Sequence, residues 1–159
     1  MQSPIIEFRR VSKSDVDAIV DLWMDSSTYH KELDSRLAVR PDAAKHVHAF
    51  FSKLITDEIN YFAVASVDNT IIGYICVLIQ ERPPTHFEKT SGFIDGLYVR
   101  PDYRRQGVGS ELYQMALKWL KEHHIESIRL TVSSKNSIGQ AFWNRQGFSE
   151  LMYIMLATI

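Results

Sequence analysis

Residues 92–110 read GFIDGLYVRPDYRRQGVGS and combine a strand, a basic loop and the start of a helix. The first part, residues 93–99, is apolar and aromatic, which is the composition of a β-strand. Pro101 ends that strand because proline cannot donate to a sheet ladder. The N–H groups at the start of the next helix have no intrahelical acceptor, and the helix dipole favours negative charge there. The stretch therefore predicts a phosphate-binding loop, in which Gly107 and Gly109 let the backbone approach a bulky anion.

The spacing Arg104-x-x-Gly107-x-Gly109 resembles the acyl-CoA signature of the GNAT N-acetyltransferases. It matches neither the dinucleotide fingerprint nor the P-loop. A basic turn that caps an ordinary helix is the alternative interpretation of these positions alone. Asn136 and the later pair of Gly147 and Phe148 add to the resemblance, which covers nearly the whole chain. It implies an acetyl-CoA-dependent N-acetyltransferase.

Composition indicates an ordinary globular protein of one domain, residues 1–159, with 45% apolar and 23% charged residues. The net charge of −1 argues against a protein that coats nucleic acid, so no nucleic-acid partner is expected. Cys76 is the single cysteine, which excludes an internal disulfide and fits a reducing compartment. It lies in an apolar strand, so we expect it to be buried rather than nucleophilic. Because no signal pattern or long apolar run is present, we expect a cytoplasmic protein without a membrane partner.

Hydrophobic periodicity and turn signals predict an alternating α/β chain. The predicted elements are, in order, a strand at 5–10, a helix from 16 to about 26, a helix from 41 to 55, strands at 61–67, 71–79 and 92–99, a helix at 108–122, a strand at 125–132, a helix at 138–146 and a strand at 148–156. Residues 68–70 read as a hairpin turn, and Gly73 marks a bulge or a close backbone approach. The helical crossover makes the strand at 125–132 parallel to that at 92–99.

By resemblance, this order implies a three-layer α/β/α fold with a mixed, mostly antiparallel, centrally splayed sheet of six or seven strands. The residues after Phe148 are few for the usual two closing strands. The sheet is therefore expected to end one strand early or to be completed by a partner subunit, which makes a homodimer possible.

The resemblance also implies where acetyl-CoA, the acyl donor, is bound. The backbone from Leu97 to Val99 is expected to pair with pantetheine beside a bulge, and an N–H near Leu97 or Tyr98 to polarise the thioester carbonyl. The loop is expected to hold the pyrophosphate. The residues expected to contact the donor are Leu97, Tyr98, Val99, Arg104, Arg105, Gln106, Gly107, Val108, Gly109, Ser110, Asn136 and Trp143. No metal is expected.

Acetyl transfer to an amine also needs a base, because a free alkylamine has a pKa of about 10. Asp95 is the leading candidate: it lies mid-strand, two residues before the expected bulge, and polyamine-type members of the family carry Glu at the matching place. An exposed strand residue or an amine-binding carboxylate is the alternative role. Trp143 occupies the position of a frequent family Tyr, and its indole cannot be a general acid. Tyr98, Tyr103 and Tyr113 remain as proton donors for the thiolate, with water as the alternative.

Residues 27–40 are polar and, by resemblance, form a lip over the acceptor. Tyr29, His30, Glu32 and Asp34 place two carboxylates beside a phenol and an imidazole, which would attract a cationic amine. A solvated loop is the alternative. The chain is thus predicted to transfer an acetyl group from acetyl-CoA to a primary amine of a small molecule or a protein by direct attack. A non-catalytic acyl-CoA-binding or sensing module is the second hypothesis, which Trp143 motivates.

Overall fold

The computed structural model describes residues 5–159 and places them in an α/β domain built on one sheet. Its elements are β1 Glu7–Arg10, α1 Val16–Leu33, α2 Ala43–Leu54, β2 Tyr61–Val67, β3 Thr70–Glu81, β4 Thr90–Val99, α3 Val108–Glu122, β5 Ile128–Leu130 and α4 Ser137–Arg145. Within this range, none of the helices combines the length and the apolar character that crossing a bilayer requires.

The sheet is mixed and has five strands in the order β1-β2-β3-β4-β5. All neighbours are antiparallel except β4 and β5, which the α3 crossover makes parallel, as the sequence predicts. The prediction of six or seven strands is wrong for the described residues. The expected closing strand at 148–156 is not formed: the chain there has no regular secondary structure and is exposed from residue 149 onward.

Two apolar cores lie on opposite faces of the sheet and give the domain three layers. One core packs α3 against the sheet through side chains such as Leu112 and Ala116, both fully buried. The other packs α1 and α2 through Ile19, Leu22 and Phe51. Strand β2 is buried along its whole length because its alternate residues enter the two cores.

Helix α1 continues to Leu33, so the prediction that it ends near Ser26 is wrong. Its last two turns lack an apolar stripe, and side-chain contacts to another part of the chain hold them, as described below. The helix ends at Asp34, which has extended backbone angles and a carboxylate that accepts from the Arg36 N–H at 3.1 Å. Tyr29, His30 and Glu32 therefore lie on a helix rather than on a loop.

The start of α1 is fixed by a buried carboxylate. Asp15 is 5% exposed and accepts two hydrogen bonds from the Arg9 guanidinium, at 2.7 and 2.9 Å. It also accepts from the Ser12 N–H at 2.7 Å. These hydrogen bonds, the Arg9 contacts foremost, lower the pKa of Asp15 to about 2.

The β2–β3 hairpin follows its sequence signal. Asp68 and Asn69 both have positive φ, 48° and 63°, as a two-residue type I′ turn requires. Gly73 lies where the sheet is tight: a Cβ there would come within 2.9 Å of the Tyr98 carbonyl oxygen. The register also slips beside it, since Ala65 faces Gly73 while Ser66 faces Ile71. The bulge and the close backbone approach that Gly73 predicts are both confirmed.

Helix α4 ends at Gly147, which has a φ of 92°. The Gly147 N–H donates to the Asn144 carbonyl and the Phe148 N–H to the Trp143 carbonyl, both at 3.1 Å, which is the Schellman pattern. The predicted C-terminal glycine of this helix is confirmed. The Phe148 side chain packs against the α3 core, and the chain leaves the domain after it.

Candidate active site

The loop between β4 and α3 presents unpaired backbone N–H groups. Gly107 caps the helix with a φ of 84°, and the first backbone bond of α3 runs from the Glu111 N–H to the Gly107 carbonyl at 2.9 Å. Helix geometry leaves the N–H groups of Val108, Gly109 and Ser110 without an intrahelical acceptor. A Cβ at Gly107 would meet no atom within 4 Å, so the space above the loop is open.

Arg105 also has positive φ, 62°, two residues before Gly107. Successive residues that alternate between left-handed and other conformations turn their N–H groups inward into a concave anion nest. Arg105 and Gln106 are exposed, and the Gln106 amide donates to the Asp102 carbonyl at 2.9 Å. The loop thus combines a nest, a helix N-terminus and one free guanidinium, which together suit a pyrophosphate.

Arg104 faces the protein instead of the open space. Its Nε donates to the Val99 carbonyl at 2.8 Å, and its guanidinium lies 5.3 Å from the centre of the Tyr98 ring. This side chain joins the end of β4 to the loop. Arg104 therefore orients the anion loop, whereas Arg105 is the arginine whose charge faces solvent.

The extra residue in β4 is Asp95. Cys76 faces Gly96 across the β3–β4 ladder and Val77 faces Ile94, so Asp95 between them has no partner. The predicted bulge near Leu97 is therefore corrected to Asp95 itself. A bulge reverses the alternation of a strand, and it bends and twists the chain.

Strand β4 loses its neighbour β5 at the bulge, and we call the unpaired side of β4 beyond it the cleft. The two strands pair only from Gly92 to Ile94, opposite Ile128 to Leu130, so β4 has no neighbour on that side beyond the bulge. The Arg100 N–H donates to the Ile72 carbonyl on β3 at 2.8 Å. Because backbone groups alternate along a strand, Tyr98 also faces β3, while Leu97 and Val99 face the cleft. The Val99 carbonyl already accepts a hydrogen bond from Arg104. The Leu97 N–H, the Leu97 carbonyl and the Val99 N–H therefore remain available to a ligand.

Helix α4 and the anion loop meet at Leu97. A Cβ at Gly109 would touch the Phe142 ring at 3.4 Å and the Leu97 side chain at 3.6 Å. The small residue at Gly109 thus brings the first turn of α3 close to both. Phe142 was not identified from the sequence, because one aromatic residue on a short helix carries no positional signal.

The Asp95 side chain is exposed to solvent, but nearby protein atoms remove part of its hydration. This partial desolvation raises the pKa of Asp95 above the ordinary carboxyl value. A raised pKa moves a carboxylate toward the range in which it exchanges protons near neutral pH. The side chain is therefore available to a ligand and is the carboxylate next to the open edge of β4.

Three other groups beside Asp95 are buried on the face that packs against α1 and α2. Cys76 is fully buried, and burial raises the pKa of its thiol well above the ordinary value, as expected for an inert cysteine. Burial also raises the pKa of Tyr74, whose hydroxyl occupies the space that a Cβ at Gly96 would need. The pKa of Tyr98 is raised by burial, which the Arg104 guanidinium partly opposes. All three groups keep their protons at neutral pH.

Asn136 is nine-tenths buried and caps α4. Its Oδ1 accepts from the Gly139 N–H at 2.9 Å and from the Tyr29 hydroxyl at 3.3 Å. A Cβ at Gly139 would lie 2.6 Å from the Asn136 amide nitrogen, so the cap requires glycine there. Asn136 thus shapes the loop between β5 and α4.

The four residues predicted to bind the acceptor separate into two pairs. Tyr29 and Asp34 hold the β5–α4 loop: Tyr29 bonds to Asn136, and the Asp34 carboxylate lies 3.1 Å from the Lys135 ammonium. His30 instead faces its own helix, with Nδ1 2.7 Å from the Ser26 carbonyl oxygen. Glu32 is exposed.

The negative charge of Asp34 is already balanced by cationic partners within the protein. The Arg36 guanidinium and N–H, together with Lys135, hold the pKa of Asp34 well below its usual range. Its charge is therefore committed to these partners rather than free for a cationic amine. Lys135 was missed from the sequence because its partner is distant along the chain.

Trp143 belongs to an aromatic cluster between α3 and α4. Its ring lies 5.7 Å from Tyr113 and 5.2 Å from Phe148, centre to centre, in edge-on contacts. Tyr113 is itself 4% exposed, which makes it a packing residue here. The part of the chain that the structure describes holds no group of three or more metal-ligating side chains.

A family model described as the Acetyltransferase (GNAT) family matches residues 16–148. Because this match spans most of the chain, the protein belongs to the GNAT family. It is an acetyltransferase, in agreement with the anion loop and the unpaired edge of β4 described above.

Similar proteins with assigned names include two archaeal enzymes. An N-alpha-acetyltransferase of Sulfurisphaera tokodaii is 28% identical over 150 residues, covering 90% of this chain and 80% of its own. A spermidine N(1)-acetyltransferase of Thermoplasma acidophilum is 25% identical over 153 residues, covering 90% and 88%. Among solved structures, the aminoglycoside N-acetyltransferase AAC(6′)-Iy in complex with CoA has a TM-score of 0.76 and 19% identity, covering 99% of this chain and 97% of that one.

Proposed function

We propose that this protein transfers the acetyl group of acetyl-CoA to a primary amine of a small molecule or a protein by direct attack. The observation that carries the proposal is the cleft beyond the Asp95 bulge, which runs along free backbone groups of Leu97 and Val99. The relative solved with CoA supports the choice of donor, and the relatives named for spermidine and for N-alpha-acetylation support an amine acceptor.

The anion loop would bind the pyrophosphate of the donor. The N–H groups of Arg105, Gln106, Gly107, Val108, Gly109 and Ser110 are the proposed contacts, with the Arg105 side chain adding charge. Arg104 would act through its bond to the Val99 carbonyl, which sets the angle between strand and loop. Ser110 Oγ also accepts from the Gln146 amide at 3.1 Å, which ties α4 to the same site.

Pantetheine would extend along β4 as an added strand. The Leu97 carbonyl offers an acceptor and the Val99 N–H offers a donor to its amide groups. Phe142 and Leu97 form the apolar wall, and the half-buried Trp143 lies beyond it. Asn136 keeps the β5–α4 loop on the far side of the cleft in place.

The Leu97 N–H would stabilise the oxyanion that develops on the thioester carbonyl, because the strand backbone holds this donor in a fixed position. The Tyr98 N–H faces β3 and is not available for this role. Asp95 would accept the amine proton, directly or through a water molecule, since its pKa is raised but its side chain remains reachable. The amine nitrogen then attacks the carbonyl carbon, the C–S bond breaks, and the thiolate takes a proton.

The acceptor would approach Asp95 from the side of α1. Tyr29 and Asp34 would define that opening through their bonds to the β5–α4 loop, and His30 and Glu32 would line its outer part. The proton for the thiolate would come from Tyr98 or from water. The buried Tyr98 phenol with its raised pKa favours water as the donor.

The test is acetyl-CoA binding by calorimetry, followed by thiol release with a panel of amines. The panel comprises spermidine, an aminoglycoside and a peptide with a free α-amino group. We expect saturable binding and release of CoA with at least one class. Binding without turnover on any amine would support the sensing module instead, and absence of binding would overturn the assigned site.

A further inference from the structure

The face of the sheet that packs against α1 and α2 carries a half-buried arginine. Arg129 is the central residue of β5, and both of its neighbours, Ile128 and Leu130, pack into the α3 core. Its side chain therefore lies on the opposite face. There its Nη2 donates to two neutral acceptors, Gln80 Oε1 at 3.3 Å and Ser91 Oγ at 3.4 Å. Both contacts are longer than typical N–H···O hydrogen bonds, so they hold the guanidinium weakly.

The positive charge of Arg129 is not balanced by the part of the chain that the structure describes. Its Nε is buried without a hydrogen-bond acceptor, and the ion pairs formed within residues 5–159 involve other cations. Arg82, which continues the β3 ladder two residues beyond Gln80, has the same unpaired Nε. A partly desolvated charge without a counter-ion destabilises a fold. These positions therefore indicate a site for an anion that the protein binds.

Phe93 is an uncovered aromatic side chain on the same face. It faces Arg129 across the parallel ladder, and it lies between Ser91 and Asp95 on β4. Phe93 is half-buried, yet within the described residues it belongs to neither of the two apolar cores. A large ring that the protein core does not use offers an apolar floor to a bound molecule.

Asp95 lies on the same face as Phe93, because Ile94 between them enters the α3 core and strand residues alternate. A strand rises about 3.3 Å per residue, so about 13 Å separates the Cα atoms of Asp95 and Ser91. The Arg129 guanidinium lies beside Ser91. The proposed base and the unpaired guanidinium are therefore roughly 10–13 Å apart on this spacing, with Phe93 between them.

We propose that the acceptor is an amine that also carries a carboxylate, and that Arg129 binds this carboxylate while Asp95 receives the amine. The planar guanidinium can donate two parallel hydrogen bonds to a carboxylate. An alkyl chain of about six bonds between the two groups spans about 7 Å, and a hydrogen bond at each end adds about 3 Å, which fills the available distance. Phe93 would cover the methylene groups of that chain. The inference rests on the proposed function, because it names the substrate class of the same site.

The first test compares ε-aminocaproate with hexylamine, two acceptors of equal chain length that differ in the carboxylate. We expect wild type to acetylate ε-aminocaproate with a kcat/KM that is roughly 10–100-fold higher, as a charged hydrogen bond provides. Arg129→Gln should remove this advantage by lowering kcat/KM for ε-aminocaproate and leaving that for hexylamine unchanged. Arg10→Gln makes the same change on β1, at the opposite edge of the sheet, and should keep the wild-type advantage.

Chain length provides the second readout. γ-Aminobutyrate is about 2.5 Å shorter than ε-aminocaproate and cannot reach Asp95 and Arg129 together. Its kcat/KM should therefore be close to that of butylamine. A carboxylate advantage that does not depend on chain length would place the carboxylate outside the Arg129 site and overturn the inference.

The inference and the proposed function can fail separately. Equal kcat/KM for ε-aminocaproate and hexylamine in wild type would overturn the inference and leave the acetyl transfer intact. Absence of turnover with every amine would overturn the proposed function, and thermal unfolding then decides the fate of the subsite. ε-Aminocaproate should raise the Tm of wild type but not that of Arg129→Gln, because a ligand stabilises only the fold that binds it. A wild-type Tm that does not respond would overturn the subsite as well.

A purely structural role for Arg129 predicts a different effect on folding. Arg129→Met keeps an apolar stem and removes a charge that has no counter-ion within the described residues, so the urea midpoint should stay level or rise. The same variant should lose the advantage of ε-aminocaproate over hexylamine. A lower urea midpoint together with an unchanged advantage would assign Arg129 to the fold and overturn the inference.

Discussion

The Tyr29 hydroxyl lies 3.3 Å from Asn136 Oδ1, and this contact joins residues 107 positions apart in the sequence. It attaches the last turns of α1 to the cap of α4. Together with the contact between Asp34 and Lys135, it explains why a stretch without an apolar stripe stays helical. The contacts hold the β5–α4 loop in place on one side of the cleft.

Tyr29→Phe should loosen that loop without disturbing the cap itself, because Asn136 keeps its bond from the Gly139 N–H. We expect the free energy of unfolding to fall by about 1 kcal/mol, the usual worth of one hydrogen bond. Faster amide hydrogen exchange should appear at residues 133–140 and not in α3. Unchanged exchange at those residues would show that the contact does not restrain the loop.

Gly107→Glu should abolish acetyl-CoA binding, because it places a side chain and a negative charge against the proposed pyrophosphate position. Gly147→Glu is the matched control: both glycines have positive φ, 84° and 92°, and both would direct a Cβ into open space. The backbone strain should therefore be similar, roughly 1–2 kcal/mol. Calorimetry that finds equal loss of affinity in the two variants would remove the loop from the donor site.

Asp95→Asn should lower the turnover rate by roughly 10²–10⁴, the usual contribution of a general base. Acetyl-CoA affinity should stay near that of wild type. The deficit should shrink as the pH rises, because more of the amine is then neutral without help. Since burial raises the pKa of Asp95, wild-type activity should lose its base at a higher pH than an ordinary carboxylate with a pKa of about 3.9 would.

The exposed carboxylate Asp21 on α1 serves as the control, and Asp21→Asn should leave the rate unchanged. An Asp95→Asn variant with raised KM and intact kcat would mean that Asp95 binds the cationic amine instead of accepting its proton.

Asp15→Asn should destabilise the fold at neutral pH by about 1–3 kcal/mol, because it weakens a charge-assisted hydrogen bond to Arg9. The pKa of Asp15 is lowered to about 2 in the folded protein, so its stabilisation is present above the unfolded value near 3.9 and is lost as the pH falls toward 2. Urea unfolding between pH 5 and pH 2 should therefore show a weaker acid dependence in the variant. Asp21→Asn, at an exposed carboxylate on the same helix, should behave as wild type.

The sequence predicts the secondary structure well where local signals are strong. Asp68 and Asn69 form the turn that their residue types favour, Gly147 ends α4, and the α3 crossover makes β5 parallel. The family resemblance is confirmed by the match over residues 16–148. The turn and the helix end have physical causes that act over a few residues, and the crossover acts between consecutive elements of the chain.

The predictions that fail depend on distant parts of the chain. The length of α1 is set by contacts to Asn136 and Lys135, which no periodicity reveals. The position of the bulge is set by the register between β3 and β4, which leaves Asp95 unpaired, two residues before the expected position at Leu97. The apolar run at residues 151–156 predicts a strand but does not identify the strand that pairs with it.

Because Cys76 is buried, the folded protein should not react with thiol-reactive dyes. Reaction with such a dye requires an exposed thiolate, and this cysteine offers neither exposure nor ionisation. In a colorimetric assay the coenzyme released from the donor is thus the thiol that the dye reports, and an enzyme blank should stay colourless. A slow rise in the absorbance of that blank would report Cys76 exposed in unfolded molecules. The same assay therefore monitors both catalysis and the fraction of folded protein.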